Sequence, residues 1–219
     1  PLDDALTVEA GVTLLEAQQA ATAADRRFPL SLAAEGTATI GGVISTNAGG
    51  VQVLRYGMMR DLVLGIEAVM PDGRVFNGLK RLRKDNTGYD LKQLLIGAEG
   101  TLGVVTAATL KLVPILRSRA TAVVGLTEAA AAIELLAHAK GETGGGVEAF
   151  ELMRRIGVDL AVAHIPGVRD PLETPVPWLV LIELASGEAG AAEAALERLL
   201  EGALEAELIV DAAVAANEA

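Results

Sequence analysis

The chain has 219 residues, is 51% hydrophobic and carries a formal net charge of −11. That length buries a substantial core, as one large domain or two small ones. The acidity argues against a nucleic-acid partner, and the absence of cysteine excludes disulfides, thiolate metal sites and a cysteine nucleophile and fits a reducing, cytoplasmic setting.

No uncharged apolar run is long enough to span a bilayer, and no basic-then-apolar leader opens the chain. Pro1-Leu2-Asp3-Asp4 lacks a Met, and residues 212–219 stop without a boundary signal. Both ends read as cut, so an internal fragment of a longer protein is expected.

In chain order, residues 6–10 read as a strand stopped by Gly11. Thr13 and Glu16 have the spacing of a capping box, opening a helix expected to run to Arg27. Residues 33–56, rich in Gly, Ala, Ser, Thr and Asn, show neither a helical nor a strand period. A strand over 62–70, the turn Pro71-Asp72-Gly73 and a return strand over 74–76 predict a hairpin. Residues 90–95 read as a short capped helix, and 104–113 as a strand ended by Pro114.

Beyond about Arg117, longer regular elements take over. Strands are expected at 120–125, 147–152, 178–185 and 208–213. Helices are expected at 127–139 (with Ile133, Leu136 and Ala137 on one face), near 154–163, and at 188–204. The last has Ala192, Leu196, Leu199 and Leu200 as its apolar stripe and a Glu-rich solvated face. The order β-α-β-α-β-α-β predicts an antiparallel sheet backed by helices, a ferredoxin-like α+β domain. Residues 165–177, with four prolines, read as a loop.

Two glycine-rich segments carry the chemistry. In residues 39–50, two Gly pairs bracket Ser45, Thr46 and Asn47. Glycine lets backbone amides approach a flat or phosphorylated ligand closely, and the small side chains add uncharged hydrogen bonds; a ligand loop is favoured over a tight structural turn. The second segment, 96–106, lacks both the G-x-G-x-x-G of a dinucleotide fold and the Gly-Lys-Ser/Thr of a P-loop, and alone reads as a turn. His138 and His164 have no ligand-spaced neighbour, so structural or solvent roles and no metal site are expected. The basic run 80–84 suits a solvated loop or an anion patch. Arg55 and Arg60 suit a cofactor contact, a carboxylate or a structural ion pair. Trp178 suits core or interface.

Taken together, residues 38–50, Arg55-Tyr56-Gly57, Arg60-Asp61, the 71–73 turn, residues 86–91 and residues 96–104 resemble the FAD-linked oxidases with a vanillyl-alcohol-oxidase-type FAD domain. Within that family the chain resembles the branch of D-lactate, D-2-hydroxyglutarate and glycolate oxidation. The resemblance implies an α+β protein in two parts. Residues 1–117 would be the second part of an FAD-binding (PCMH-type) domain whose first subdomain is missing, and 118–219 a truncated C-terminal cap on the substrate side. It implies FAD contacts from Thr39, Ile40, Gly41, Gly42, Ser45, Asn47, Gly49 and Gly50, then from Tyr56 and Gly57, and finally from Glu99, Gly100, Gly103, Val104 and Val105. It further implies oxidation of a 2-hydroxy acid by hydride transfer to the flavin. The diphosphate loop, catalytic base, substrate arginine and metal-binding histidines have no match in this chain, so no catalytic residue is named and the chain alone is expected to be inactive. The electron acceptor stays open, as does a homodimer or partner subunit. Alternatives are a non-catalytic assembly module and a related FAD-dependent alcohol or aldonolactone oxidase.

Overall fold

The computed structural model describes residues 3–215; residues 1–2 and 216–219 lie outside the described residues. The chain divides into two compact units, Pro1–Ile115 and Leu116–Ala219.

In the first unit, β1 (Ala5–Glu9) leads into α1 (Leu14–Ala23). The capping box is present: Thr13 Oγ1 accepts from the Glu16 amide at 3.2 Å, and the Glu16 carboxylate accepts from the Thr13 amide at 2.8 Å. That bond from the Thr13 amide is the main reason the Glu16 carboxyl titrates below its usual value. Leu14, Ala17 and Ala21, spaced on one helical face, are buried. The helix ends at Ala23 rather than Arg27. Arg26–Arg27 instead forms β2, antiparallel to β6 (Val113–Pro114).

Residues 33–56, which lack a period, nonetheless contain two short helices, α2 (Ile40–Ser45) and α3 (Val53–Tyr56). Thr39 caps α2, its hydroxyl accepting from the Gly42 amide at 3.3 Å. Gly41 and Gly42 are poor helix formers, but Ile40, Val43 and Ile44 are buried, and that packing overrides propensity. After α4 (Met59–Leu62), the hairpin forms as expected: β3 (Val63–Val69) and β4 (Val75–Gly78) pair antiparallel. At its tip the Gly73 amide donates to the Met70 carbonyl at 2.9 Å, with Gly73 at φ 82°.

The short helix α5 (Lys92–Leu95) has no side-chain cap, contrary to expectation; the Asp90 carboxylate engages the Lys92 and Gln93 side chains instead. With β5 (Val104–Lys111), the main sheet has the order β1-β5-β3-β4. Its core gathers Leu14, Phe28, Ile40, Ile44, Met59, Leu62, Ile66 and Leu110, each at most 1% exposed.

The second unit contains β7 (Ser118–Leu126), α6 (Ala131–Thr143), β8 (Val147–Arg154), α7 (Arg155–His164), β9 (Trp178–Ser186), α8 (Ala191–Glu205) and β10 (Asp211–Val214). The sheet order β10-β7-β9-β8, every pair antiparallel, is the ferredoxin-like arrangement with α7 added. The α8 stripe is buried as read from the sequence. The face assigned to α6 is not: the helix starts four residues later, Ala132, Leu135 and Ala139 turn inward, and Ile133 is 74% exposed. Trp178 is half-buried, with Arg154 5.5 Å above its ring.

Candidate functional site

The two glycine-rich segments meet. The Gly97 amide donates to the Ile44 carbonyl at 3.1 Å and the Glu99 amide to the Ser45 carbonyl at 3.0 Å, so the second segment is bonded to the last turn of α2. Two of the non-glycine residues with left-handed backbone, Asn47 (φ 47°) and Glu99 (φ 51°), flank this junction, with Gly97 and Gly100 at φ 82° and 78°. Such conformations cost energy and persist where the surrounding structure imposes them.

Several candidate groups serve the fold itself. The Thr39 hydroxyl and the Gly42 amide are committed to the helix cap. A Cβ on Gly41 would lie 2.9 Å from Ala10 Cβ, and one on Gly50 would lie 2.1 Å from the Ser31 carbonyl oxygen. Gly57, at φ 77°, is packed against Asp61, whose carboxylate accepts from the Met58 amide. Ile40 and Val105 are core side chains and Gly103 is buried beneath Val69, so these three can meet a ligand only through backbone. The Asn47 side-chain oxygen accepts from the Arg60 amide at 2.9 Å. Tyr56 lies between Arg27 and Arg55, their guanidinium carbons 5.8 and 5.3 Å from its ring.

What remains open is narrower than the sequence suggests. Among the described residues, the amides of Gly49 and Gly50 donate to no protein acceptor. Next to them, the Gln52 side-chain oxygen is buried without a partner. Within the two segments, Gly42, Gly49, Glu99, Gly100 and Val104 are exposed. Free amides, surfaces without Cβ and an orphaned acceptor fit a ligand rich in carbonyl, hydroxyl and N–H groups, as a flavin nucleotide is.

Arg60 was missed as an organising residue. Its guanidinium donates to the Gln93 carbonyl (2.9 Å), Gln93 Oε1 (2.6 Å) and the Ile96 carbonyl (2.8 Å), tying α4 to α5 and the start of the second segment. These acceptors are uncharged, so the arrangement is not an ion pair, and they lie over 30 residues away, so no local spacing signals it. Of the histidines, His164 is exposed, whereas His138 Nε2 is buried without a partner, facing Gly202. No cluster of metal-ligating residues occurs among the described residues, and no helix there is long and apolar enough to cross a membrane.

Comparison with known proteins matches this arrangement to two modules. The family model described as FAD binding domain matches residues 2–78, and that of the C-terminal domain of FAD linked oxidases matches residues 115–219. Both models describe domains of FAD-linked proteins, the second of oxidases.

Among curated relatives, the chain is 38% identical over 213 residues to a D-2-hydroxyglutarate dehydrogenase of Rattus norvegicus, covering 97% of this chain and 39% of that protein. It is 35% identical to a D-2-hydroxyglutarate–pyruvate transhydrogenase of Saccharomyces cerevisiae (100% and 44%). To a putative D-lactate dehydrogenase of Schizosaccharomyces pombe it is 36% identical (97% and 40%). The chain therefore spans about two fifths of the length of these relatives. A solved alkyldihydroxyacetonephosphate synthase shares the fold, with a TM-score of 0.76 at 16% identity, covering 98% of this chain and 41% of that one. The chain thus carries a segment matching an FAD binding domain and one matching the C-terminal domain of FAD linked oxidases, and the cofactor both family models name is FAD.

Proposed function

We propose that the chain supplies the uncharged part of a flavin site and a substrate-side domain to an FAD-dependent enzyme that oxidises a 2-hydroxy acid of the D-2-hydroxyglutarate, D-lactate or glycolate type. Residues 1–117 would act as the second part of the FAD domain and 118–219 as the cap. The observation that carries the reading is the bonding of Gly97 and Glu99 to the last turn of α2, which gathers the open backbone of both segments at one place. Bound FAD would supply the redox chemistry, taking hydride from the substrate Cα.

The chain's own part is to bind and orient. The Gly49 and Gly50 amides would donate to flavin-nucleotide oxygens, the buried Gln52 oxygen would accept from one of its N–H or O–H groups, and Gly100 and Val104 would let the ring approach closely. Neutral donors hold an anionic cofactor without pairing it to a charge. The relatives named for D-2-hydroxyglutarate and D-lactate give the substrate class. For location we propose a reducing compartment, the cytoplasm, on the absence of cysteine; the rat and Schizosaccharomyces pombe relatives are named mitochondrial, and a fluorescent fusion decides.

The test is spectroscopic. The longer protein containing this chain should purify yellow, and anaerobic D-2-hydroxyglutarate, D-lactate or glycolate should bleach its visible flavin band. The 219-residue chain alone should be colourless and inactive. Gly49→Ala places a methyl on exposed backbone, 3.1 Å from Val53 Cγ2 and 3.4 Å from Met58 Cε, with no backbone in the way. It should weaken FAD binding about tenfold while shifting the apoprotein's melting temperature far less than Gly50→Ala does. Flavin that none of the three acids reduces would refute the substrate class, and unaltered FAD affinity in Gly49→Ala would refute the site.

A further inference from the structure

A cavity of about 610 Å³ opens in the first unit beside β4, α5 and the irregular stretch 79–91. That volume suits a small molecule, and none of the residues proposed for flavin contact lines it. Its walls carry five cations, Arg60, Lys80, Arg83, Lys92 and Lys111, against three carboxylates, Asp61, Asp85 and Asp90. The balance is positive in a chain whose net charge is −11.

Two cations are cancelled locally: Lys80 by Asp85 and Lys92 by Asp90, each at 2.6 Å. The hydrogen bonds from these lysines hold both aspartates below their usual range, so the pairs are fixed neutral elements of the wall. Arg83 reaches Asp4 only at 3.7 Å. The Asp61 carboxylate accepts from the Met58 amide and keeps its charge, which leaves Arg60, Arg83 and Lys111 in excess over it. Arg60 donates to uncharged acceptors alone, and half-buried Lys111, at the end of β5, makes no ion pair among the described residues. Asn77, Thr87 and Gln93 add neutral hydrogen-bonding groups. At the lining, Tyr89 is 94% exposed, so its ring can fold over a ligand without breaking any packing. Long irregular stretches in compact domains are commonly binding loops.

We propose that this cavity binds a small dianion, a phosphate or a dicarboxylate, held chiefly by Lys111 and the uncompensated charge of Arg60. Calorimetric titration of the longer protein with inorganic phosphate, and separately with succinate, tests it. One or both should bind once per chain, more weakly at high salt, and the stronger of the two identifies the ligand chemistry. Lys111→Gln should weaken that binding about tenfold through loss of one contact charge, whereas Lys140→Gln, on α6, should change nothing. If Lys111→Gln fails to fold, Lys92→Gln, which leaves Asp90 unneutralised, should weaken binding as well. Amide resonances of Asn77, Gly88 and Gln93 should shift on titration. Absence of binding by both anions would overturn the proposal. So would binding that Gly49→Ala abolishes but neither lysine substitution alters, since the anion would then sit on the glycine amides.

Discussion

Gly50 shows how a residue can look like ligand-binding backbone and still be fixed by the fold. Its absent Cβ would stand 2.1 Å from the Ser31 carbonyl oxygen, and backbone cannot yield as a side chain can. Gly50→Ala should therefore cost more than about 2 kcal/mol, seen as a large fall in melting temperature. Gly36→Ala, where nothing lies within 4 Å and φ is not positive, should be neutral or slightly stabilising. Glu99 is the reverse case. Its φ of 51° strains a side-chain-bearing residue, so Glu99→Gly should stabilise the fold by about 1 kcal/mol. If its carboxylate contacts the cofactor, the same change should weaken FAD binding. The sequence shows where glycines cluster but not what they approach: Ala10 and Ser31, the partners of Gly41 and Gly50, come from earlier segments.

Elements were legible in proportion to the asymmetry of their faces. The capping box of α1, the β3–β4 hairpin and the α8 stripe each carry a local signal and occur where read. In α6 the run Ala129–Ala132 offers no contrast between faces, and Ile133 drew the reading to the wrong side. Denaturant unfolding should show the true face: Leu135→Ala should cost about 2–5 kcal/mol, and Ile133→Lys less than about 0.5. The basic stretch 80–84 was half legible. It is a solvent-facing loop, but Arg81 pairs with Asp3 at 2.5 Å, a partner 78 residues away that no local pattern reveals.

The Pro-rich loop is tied down in the same non-local way. The Asp211 carboxylate, at the start of β10, accepts from the Thr174 amide at 2.8 Å, and that bond chiefly lowers its pKa below the usual 3.8. A depressed aspartate contributes its full stabilisation above the unfolded value and loses it as pH falls through the folded one. The melting-temperature advantage of the wild type over Asp211→Asn should thus be constant above about pH 5, shrink below 3.8, and vanish in strong acid. An advantage that grew on acidification would show that the bond has been misjudged.

At the scale of the whole molecule, composition shifts near Arg117 and the structural division falls between Ile115 and Leu116. The reason is visible in the cores. Every buried residue of the first core lies between 14 and 112, and every one in the second unit's two clusters lies between 120 and 209. The second unit thus draws most of its buried apolar surface from β7, α6, β8, β9 and α8, and among the described residues its four strands pair with one another alone. A domain of roughly 100 residues with its own core is large enough to fold alone. Residues 116–219 expressed by themselves should give a dispersed amide spectrum and a single urea transition, with a slope of about 1–3 kcal/mol/M. Leu199→Ala, at a position fully buried in that core, should shift its midpoint without changing the slope. A collapsed spectrum with no cooperative transition would mean that the buried surface of β7 and α8 needs support from elsewhere in the protein, and the second unit would then be no domain in the thermodynamic sense.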